Sequence, residues 1–162
     1  MENKNFPKRK PTRLKYYDYS QPGAYFVTIC TKDKINILSE INVGEGLCAL
    51  PKYKLTTAGL IVDETIKYVI ESDNSVNIEK YVIMPNHIHM IIALNDTGGD
   101  GTPPLHKIVG EIKSYTTKRY GRKLWQRSFH DHIIRGKDDY LKIWEYIDNN
   151  IQKWELDCFY TQ

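Results

Sequence analysis

The sequence contains no long apolar run. No stretch of its 162 residues approaches the roughly 18 consecutive apolar residues that a membrane-spanning helix needs. Basic residues follow the first five positions, but the apolar core of a signal peptide does not. We therefore expect a cytoplasmic protein that has no membrane partner.

Cysteine is scarce, and no internal repeat is present. Cys30, Cys48 and Cys158 are widely spaced and odd in number. This pattern argues against a disulfide framework and against a cysteine-ligated zinc site, and it favours a reducing compartment. Hydrophobic residues make up 41% of the chain, which is enough for the core of one domain. We expect that domain to occupy residues 16–162, after a basic arm over residues 1–15.

Positive charge is concentrated in two blocks, although the formal net charge is only +3. Residues 1–15 contain six lysines and arginines against one glutamate, and residues 107–127 contain seven against one. The rest of the chain is consequently acidic. Such blocks are typical of a localised polyanion-binding surface, and a solvated charged surface would produce the same pattern.

The apolar patterns predict an α+β fold. The predicted strands span residues 24–31, 76–83, 87–94 and 128–135, and the predicted helices span residues 58–71, 105–120 and 138–153. Glycine and proline predict loops over residues 42–52 and 95–104, and some hairpin pairing is expected within residues 24–40. This order predicts a mostly antiparallel sheet with the helices on one face, so that the other face is free to carry a ligand.

Two histidines lie two residues apart inside an apolar strand. His87 and His89 share one side of that strand, and its other side is apolar. Two imidazoles backed by a core could form half of a site for a divalent ion such as Mg, Mn, Co or Zn. The same spacing also fits two polar residues on an exposed sheet face.

The helix predicted over residues 105–120 is the expected neighbour of these histidines, because it follows their strand after one loop. Tyr115 lies at the margin of its apolar stripe and could act as a nucleophile if a metal or base stabilised the phenolate. Glu111, one turn earlier, could be a third ligand or a base. The alternatives are a packing role for Tyr115 and a surface ion pair for Glu111.

The same helix and the segment after it could follow a phosphodiester backbone. The basic residues that we expect to contact DNA are Lys113, Lys118, Arg119, Arg122, Lys123 and Arg127. Tyr120 and Trp125 could stack on unpaired bases or belong to the core, and the core is favoured for Trp125. For His130 and His132 we expect a structural or DNA-facing role.

Several segments, taken in order, resemble the HUH single-tyrosine transposases of the IS200 type, with the REP-associated tyrosine transposases as the nearest branch. The HUH signature is a histidine, a bulky apolar residue and a histidine, here His87-Ile88-His89. The matching segments are YDYS at 17–20, GAYFVTICT at 23–31, VIMPNHIH at 82–89, KSY at 113–115, LWQR at 124–127 and HIIR at 132–135.

The resemblance implies a ferredoxin-like domain that cuts single-stranded or hairpin DNA. In this family a tyrosine on a helix becomes covalently joined to the 5′ phosphate and a free 3′ hydroxyl is left, while a divalent ion, Mg or Mn, polarises the scissile phosphate. Carried over by position, His87 and His89 are the metal ligands and Tyr115 is the nucleophile, with Tyr120 as the second choice.

The sequence departs from the family pattern at one expected ligand. Family members often carry a glutamine or asparagine about one turn after the nucleophile, but Lys118 and Arg119 stand there and neither can bind a metal. Glu111 is therefore the expected third ligand. The family's usual Asn-Pro after the last helix appears as Asn149-Asn150-Ile151.

Two further questions stay open at this stage. A domesticated, non-catalytic DNA- or RNA-binding protein of ferredoxin-like fold is the alternative function. A homodimer, in which the helix over residues 105–120 completes the site of a partner subunit, is the alternative assembly.

Overall fold

The computed structural model describes residues 17–42, 51–96 and 103–161. The predicted basic arm and parts of both predicted loops lie outside these residues. The strands are β1 (Gly23–Cys30), β2 (Ser39–Asn42), β3 (Lys52–Leu55), β4 (Val76–Ile83), β5 (His87–Leu94) and β6 (His130–Ile133), and the helices are α1 (Thr57–Ser72), α2 (Leu105–Tyr120) and α3 (Lys137–Asn149). Short 3-10 turns occupy Lys32–Lys34 and Trp154–Leu156.

Four strands form the main sheet, in the order β4-β5-β1-β6. Every pairing in it is antiparallel, and β1 and β5 occupy its centre. Along the chain the main elements follow the order strand, helix, strand, strand, helix, strand, which is the ferredoxin-like arrangement. The predicted α+β class and antiparallel sheet are confirmed.

Alternate residues of β5 contact different layers. Ile88, Met90 and Ile92 belong to the core that includes residues of α1 and α2. Ile91 belongs to a second cluster, which includes Ile147 of α3. Because successive strand residues point to opposite faces, α1 and α2 cover one face of the sheet and α3 covers the other.

The position of α3 differs from the predicted arrangement, in which all helices share one face. The second sheet face is apolar at Phe26, Val82 and Ile91, and these side chains need cover. Helix α3 covers this sheet face with an apolar stripe, which consists of Tyr140, Ile143, Trp144 and Ile147. Apolar periodicity predicts which side of a helix is buried, but it does not say against which face of the sheet.

The first turn of α1 is fixed by a cap and a close approach. The Thr56 side chain accepts a hydrogen bond from the Gly59 backbone nitrogen at 3.2 Å, as an N-cap residue does. A Cβ atom at Gly59 would lie 1.9 Å from the Leu38 carbonyl oxygen. This position therefore requires glycine.

One small hairpin was not predicted. Strands β2 and β3 pair with each other in a separate two-stranded sheet, next to the predicted loop. Hairpin pairing within residues 24–40 does not occur, because β1 pairs with β5 and β6 instead. Within the three described ranges, no helix is both long and apolar enough to cross a membrane.

Candidate active site

The two histidines at the start of β5 face each other. The Nε2 atoms of His87 and His89 are 2.9 Å apart, and both side chains are buried. Burial, helped by the nearby Lys34 charge, lowers the pKa of His87 to about 3. Burial and the neighbouring His87 hold the pKa of His89 well below its ordinary value. Both rings are therefore neutral near pH 7, which is the form that binds metal ions.

The outer nitrogen of each imidazole has its own hydrogen-bond partner. His89 Nδ1 lies 2.8 Å from the Thr28 hydroxyl on β1, and His87 Nδ1 lies 2.9 Å from Asn86 Oδ1. Partners of this kind orient metal-binding histidines in proteins. The strand pairing and these two contacts together hold both rings with Nε2 directed to one point.

A carboxylate from the C-terminal segment lies beside this point. His87, His89 and Asp157 each offer a ligand atom, and the three atoms lie within 4.8 Å of one another. Asn150, on the turn after α3, donates from Nδ2 to Asp157 Oδ2 at 3.1 Å. Its own Oδ1 is buried and accepts no hydrogen bond from the described residues. Two neutral nitrogens and a carboxylate suit a divalent ion, and the Asn150 amide lies beside them through its hydrogen bond to Asp157.

A tyrosine of α3 reaches the same point. The Tyr146 hydroxyl oxygen lies 3.3 Å from His89 Nε2, and it donates a hydrogen bond to Asp157 Oδ2 at 3.2 Å. Burial, and then the Asp157 charge, raise the pKa of Tyr146 to about 12. The phenol is therefore neutral at neutral pH, and it would need a cation or a base to become a nucleophile.

The C-terminal segment also covers the histidines. The Phe159 ring centroid lies 4.7 Å from that of His87, and the Trp154 ring centroid lies 6.0 Å from it. A cavity of about 520 Å³ opens next to this cover, and Tyr146, Asn150 and Asp157 contribute to its wall. The C-terminal segment thus covers the two imidazoles, and the site is open next to Tyr146.

The structure does not bring Tyr115 or Glu111 to the histidines within one chain. Both lie on α2, which packs on the α1 face of the sheet, and His87 and His89 face α3. The Tyr115 side chain is 46% exposed, and its ring packs edge-on against Tyr68 of α1 at 5.7 Å. The prediction that α2 adjoins the histidines is corrected for a physical reason: its apolar stripe buries itself against the core on the other face.

Three residues of the assembled site were missed: Tyr146, Asn150 and Asp157. A signal for two of them was present, because Asn150 follows Tyr146 by four residues, the spacing expected between the family's nucleophile and its amide ligand. For Asp157 the sequence carries no such signal, since it lies 68 residues beyond His89 in an irregular segment.

The basic residues of α2 and its following segment fall into two groups. Lys118, Lys123 and Arg127 line a groove of about 470 Å³, together with Lys113. Lys113 Nζ donates to the carbonyl oxygens of Gln126 and Ser128, at 3.0 and 2.8 Å. It therefore ties α2 to the segment that follows.

The remaining two predicted DNA contacts have partners within the protein. Arg119 forms an ion pair with Glu64 at 2.5 Å. The Arg122 guanidinium lies 5.4 Å from the centre of the Tyr120 ring.

Trp125 is buried in the core, and Nε1 of its ring donates to Thr116 Oγ1 at 2.6 Å. This burial confirms the core placement that its sequence context favoured.

The histidines of β6 do not join the site. His132 is exposed, and its Nε2 lies 2.9 Å from Asp139 Oδ2 at the start of α3. Asp139 also accepts a hydrogen bond from the Arg135 backbone nitrogen at 2.9 Å. These contacts fix the turn between β6 and α3.

A ferredoxin-like sheet with a buried histidine pair and a nearby carboxylate defines a protein with a candidate His–His–Asp metal site. The family profile described as "Transposase IS200 like" matches residues 47–150, well over half of the chain. This protein therefore belongs to the IS200-like transposase family.

Two individual proteins extend the comparison. An uncharacterized protein of Haemophilus influenzae (strain ATCC 51907 / DSM 11121 / KW20 / Rd) is 32% identical, over 94% of this chain and 93% of its own length. A solved structure of a REP-associated tyrosine transposase bound to a REP hairpin superposes with a TM-score of 0.64 and 24% identity. That alignment covers 90% of this chain and 74% of the other chain, and it supports the fold.

Proposed function

We propose that this protein is a metal-dependent strand transferase that cuts and rejoins single-stranded or hairpin DNA, with Tyr146 as its nucleophile. The observation that carries the proposal is the position of the Tyr146 hydroxyl, 3.3 Å from His89 Nε2 and 3.2 Å from Asp157 Oδ2. A phosphate bound at the histidine pair would lie within reach of that oxygen.

The cleavage step follows from these groups. The Tyr146 oxygen attacks the phosphorus and forms the 5′-phosphotyrosine bond, while the bond from phosphorus to the 3′ oxygen breaks. The proton of the phenol passes to Asp157, its hydrogen-bond acceptor, and the departing 3′ oxygen takes a proton from water to become a hydroxyl. Rejoining is the reverse attack by a 3′ hydroxyl on the phosphotyrosine.

His87, His89 and Asp157 would hold the divalent ion, Mg or Mn, with the Asn150 amide oxygen as a further donor. When bound there, the ion supplies positive charge to the scissile phosphate and to the phenolate. This charge matters because burial leaves the pKa of Tyr146 at about 12. An unassisted phenol would be a weak nucleophile at neutral pH.

Tyr146 takes the role that the sequence pattern had suggested for Tyr115, and two observations support the exchange. Tyr146 shares a sheet face with the histidines, and Asn150 supplies the amide one turn later. Tyr115 could serve only a site in a partner subunit of a homodimer. Glu111, exposed on the same helix, is likewise replaced by Asp157 as third ligand.

The DNA track that we propose is the groove lined by Lys118, Lys123 and Arg127, and Arg119 and Arg122 are not part of its wall. The segment that lines this groove is joined to the strand end beside the histidines, because the Gln126 nitrogen donates to the Cys30 carbonyl oxygen at 3.0 Å and Cys30 pairs with His87 in the sheet. The similar transposase of known structure was bound to a REP hairpin, so a hairpin is the first substrate to try.

The test is covalent capture of a labelled hairpin. Wild-type protein with Mn²⁺ should form a denaturation-resistant adduct, Tyr146→Phe should form none, and Tyr115→Phe should retain it at the wild-type rate. Since each variant removes one hydroxyl from an otherwise intact tyrosine, the two are matched. An adduct that persists in Tyr146→Phe and disappears in Tyr115→Phe would identify Tyr115 of α2 as the nucleophile instead.

The cover over the histidines favours a second candidate, DNA binding without cleavage. Phe159 packs against His87, and the His87 side chain is wholly buried, so a phosphate reaches the pair only after this segment moves. Tight binding of the hairpin with no adduct in either Mn²⁺ or Mg²⁺ would identify the non-catalytic protein.

A further inference from the structure

The side-chain amide of Asn86 is held in one orientation. Asn86 is wholly buried, and its Nδ2 atom lies 2.8 Å from the Phe159 carbonyl oxygen and 3.3 Å from the Lys34 carbonyl oxygen. Carbonyl oxygens only accept hydrogen bonds, so both contacts require the NH₂ group of the amide. If the amide were flipped, its Oδ1 atom would lie against the carbonyl oxygens of Lys34 and Phe159, and three acceptors would meet without a donor.

The orientation of the amide determines the proton position on His87. With Nδ2 committed to the two carbonyls, Oδ1 lies 2.9 Å from His87 Nδ1. An amide oxygen also only accepts, so Nδ1 must carry the proton and Nε2 must keep its lone pair. We infer that Asn86 is a positioning residue that fixes His87 in the Nδ1–H tautomer, with the Nε2 lone pair directed at the ion site.

His89 is held differently, by a group that can change its role. The Thr28 hydroxyl, 2.8 Å from His89 Nδ1, can donate or accept. The Thr28 contact is therefore compatible with either tautomer of His89, whereas the Asn86 contact permits only one tautomer of His87.

When His89 binds an ion through Nε2, its ring proton lies on Nδ1 and the Thr28 hydroxyl accepts the hydrogen bond. One ligand is thus preset by an amide and the other adapts through a hydroxyl. The same C-terminal segment supplies the Phe159 carbonyl that orients Asn86 and the Asp157 carboxylate.

The metal-free protein provides a direct test, which does not depend on catalysis. Nitrogen-15 NMR of labelled histidines distinguishes protonated from unprotonated ring nitrogens. We expect His87 to be protonated at Nδ1 and unprotonated at Nε2. A His87 ring protonated at Nε2 would overturn the inference. Because this test uses only the wild-type protein, its result does not depend on whether a variant folds.

The role of the inferred tautomer in ion binding rests on the proposed function and is tested with Mn²⁺ by titration calorimetry. Asn86→Leu should weaken Mn²⁺ binding by about 10-fold or more, as loss of a partner of a metal-binding histidine does. Asn36→Ala is the matched control: Asn36 Nδ2 donates to the Thr161 carbonyl at 3.0 Å, so it also anchors the C-terminal segment, but no hydrogen bond joins it to His87.

The outcomes separate the two proposals. Equal weakening of Mn²⁺ binding in Asn86→Leu and Asn36→Ala would mean that only the anchoring of the segment matters, and would contradict the positioning role. Wild-type protein that binds no Mn²⁺ would contradict the proposed function, while the NMR tautomers of that metal-free protein would still decide the inference.

Discussion

The Tyr146 hydroxyl and the Asp157 carboxylate are hydrogen-bonded across 3.2 Å, and they connect α3 to the C-terminal segment directly beside two neutral imidazoles. Asp157→Asn keeps the size of the side chain but removes its charge, and with it a metal ligand and a proton acceptor. We predict a loss of adduct formation of at least 100-fold, measured by gel assay with the labelled hairpin. Because the amide nitrogen of asparagine cannot accept the hydrogen bonds that the carboxylate accepts, the melting temperature is measured as well, and adduct formation is compared where both proteins are folded.

Mn²⁺ should stabilise the folded protein through the histidine pair. An ion that binds only the native state adds about 2.7 kcal/mol when its concentration is 100 times Kd, so the melting temperature should rise with Mn²⁺ and fall again with EDTA. In His87→Ala the rise should vanish. His132→Ala, at an exposed histidine outside the site, is the control and should respond like the wild type. A full response in His87→Ala would exclude this metal site.

The groove beside α2 should set the salt dependence of DNA binding. Each phosphate contact that is lost lowers the magnitude of the slope of log K against log salt by about 0.7 on a single strand and by about 0.9 on a duplex stem. Lys118→Ala and Lys123→Ala should each show a reduction of this size, measured by fluorescence anisotropy with hairpin DNA. Lys67→Ala removes a lysine on α1 that is paired with Asp63 and should leave the slope unchanged. If the slope of log K against log salt were the same in all three variants, the DNA would not bind in the groove beside α2.

Two glycines in helices should respond to alanine in opposite directions. Gly59→Ala would bring a methyl group within 1.9 Å of the Leu38 carbonyl oxygen, so we predict a loss of about 2 kcal/mol or more in the free energy of unfolding. At Gly110 of α2 an added Cβ meets nothing within 4 Å. Gly110→Ala should therefore stabilise the protein by about 0.5–1 kcal/mol. Urea denaturation measures both changes, and stabilisation by Gly59→Ala would contradict the close approach.

Local pattern was sufficient to predict much of the framework. The alternation around His87 and His89 predicted strand β5 with both imidazoles on one side, and the apolar stripe and Gly121 predicted α2 with the bounds that the structure has. The sheet face against which a helix packs depends on which surface remains uncovered, and that is a property of the whole domain. For this reason the sequence pattern pointed to Tyr115 as the nucleophile and not to Tyr146, the residue that we propose from the structure.

Asp157 could not be found from the sequence for a related reason. No periodic element contains it, and its link to the site consists of tertiary hydrogen bonds to Tyr146 and Asn150. A lone aspartate in an irregular segment resembles any surface carboxylate. The histidine pair, by contrast, occupies adjacent same-face positions of one strand, so a single local motif predicts it.

The order in which the ribosome makes the chain has a consequence for this site. The described strands and helices of the sheet precede Asp157 along the sequence, and a domain generally folds as a unit during synthesis. The histidine pair and the segment that carries Asp157 are therefore expected to come together in one late step. Until then the chain contains two of the three proposed ligands and lacks the acceptor for the phenol proton, so the unfinished protein would not cut DNA near the polysome.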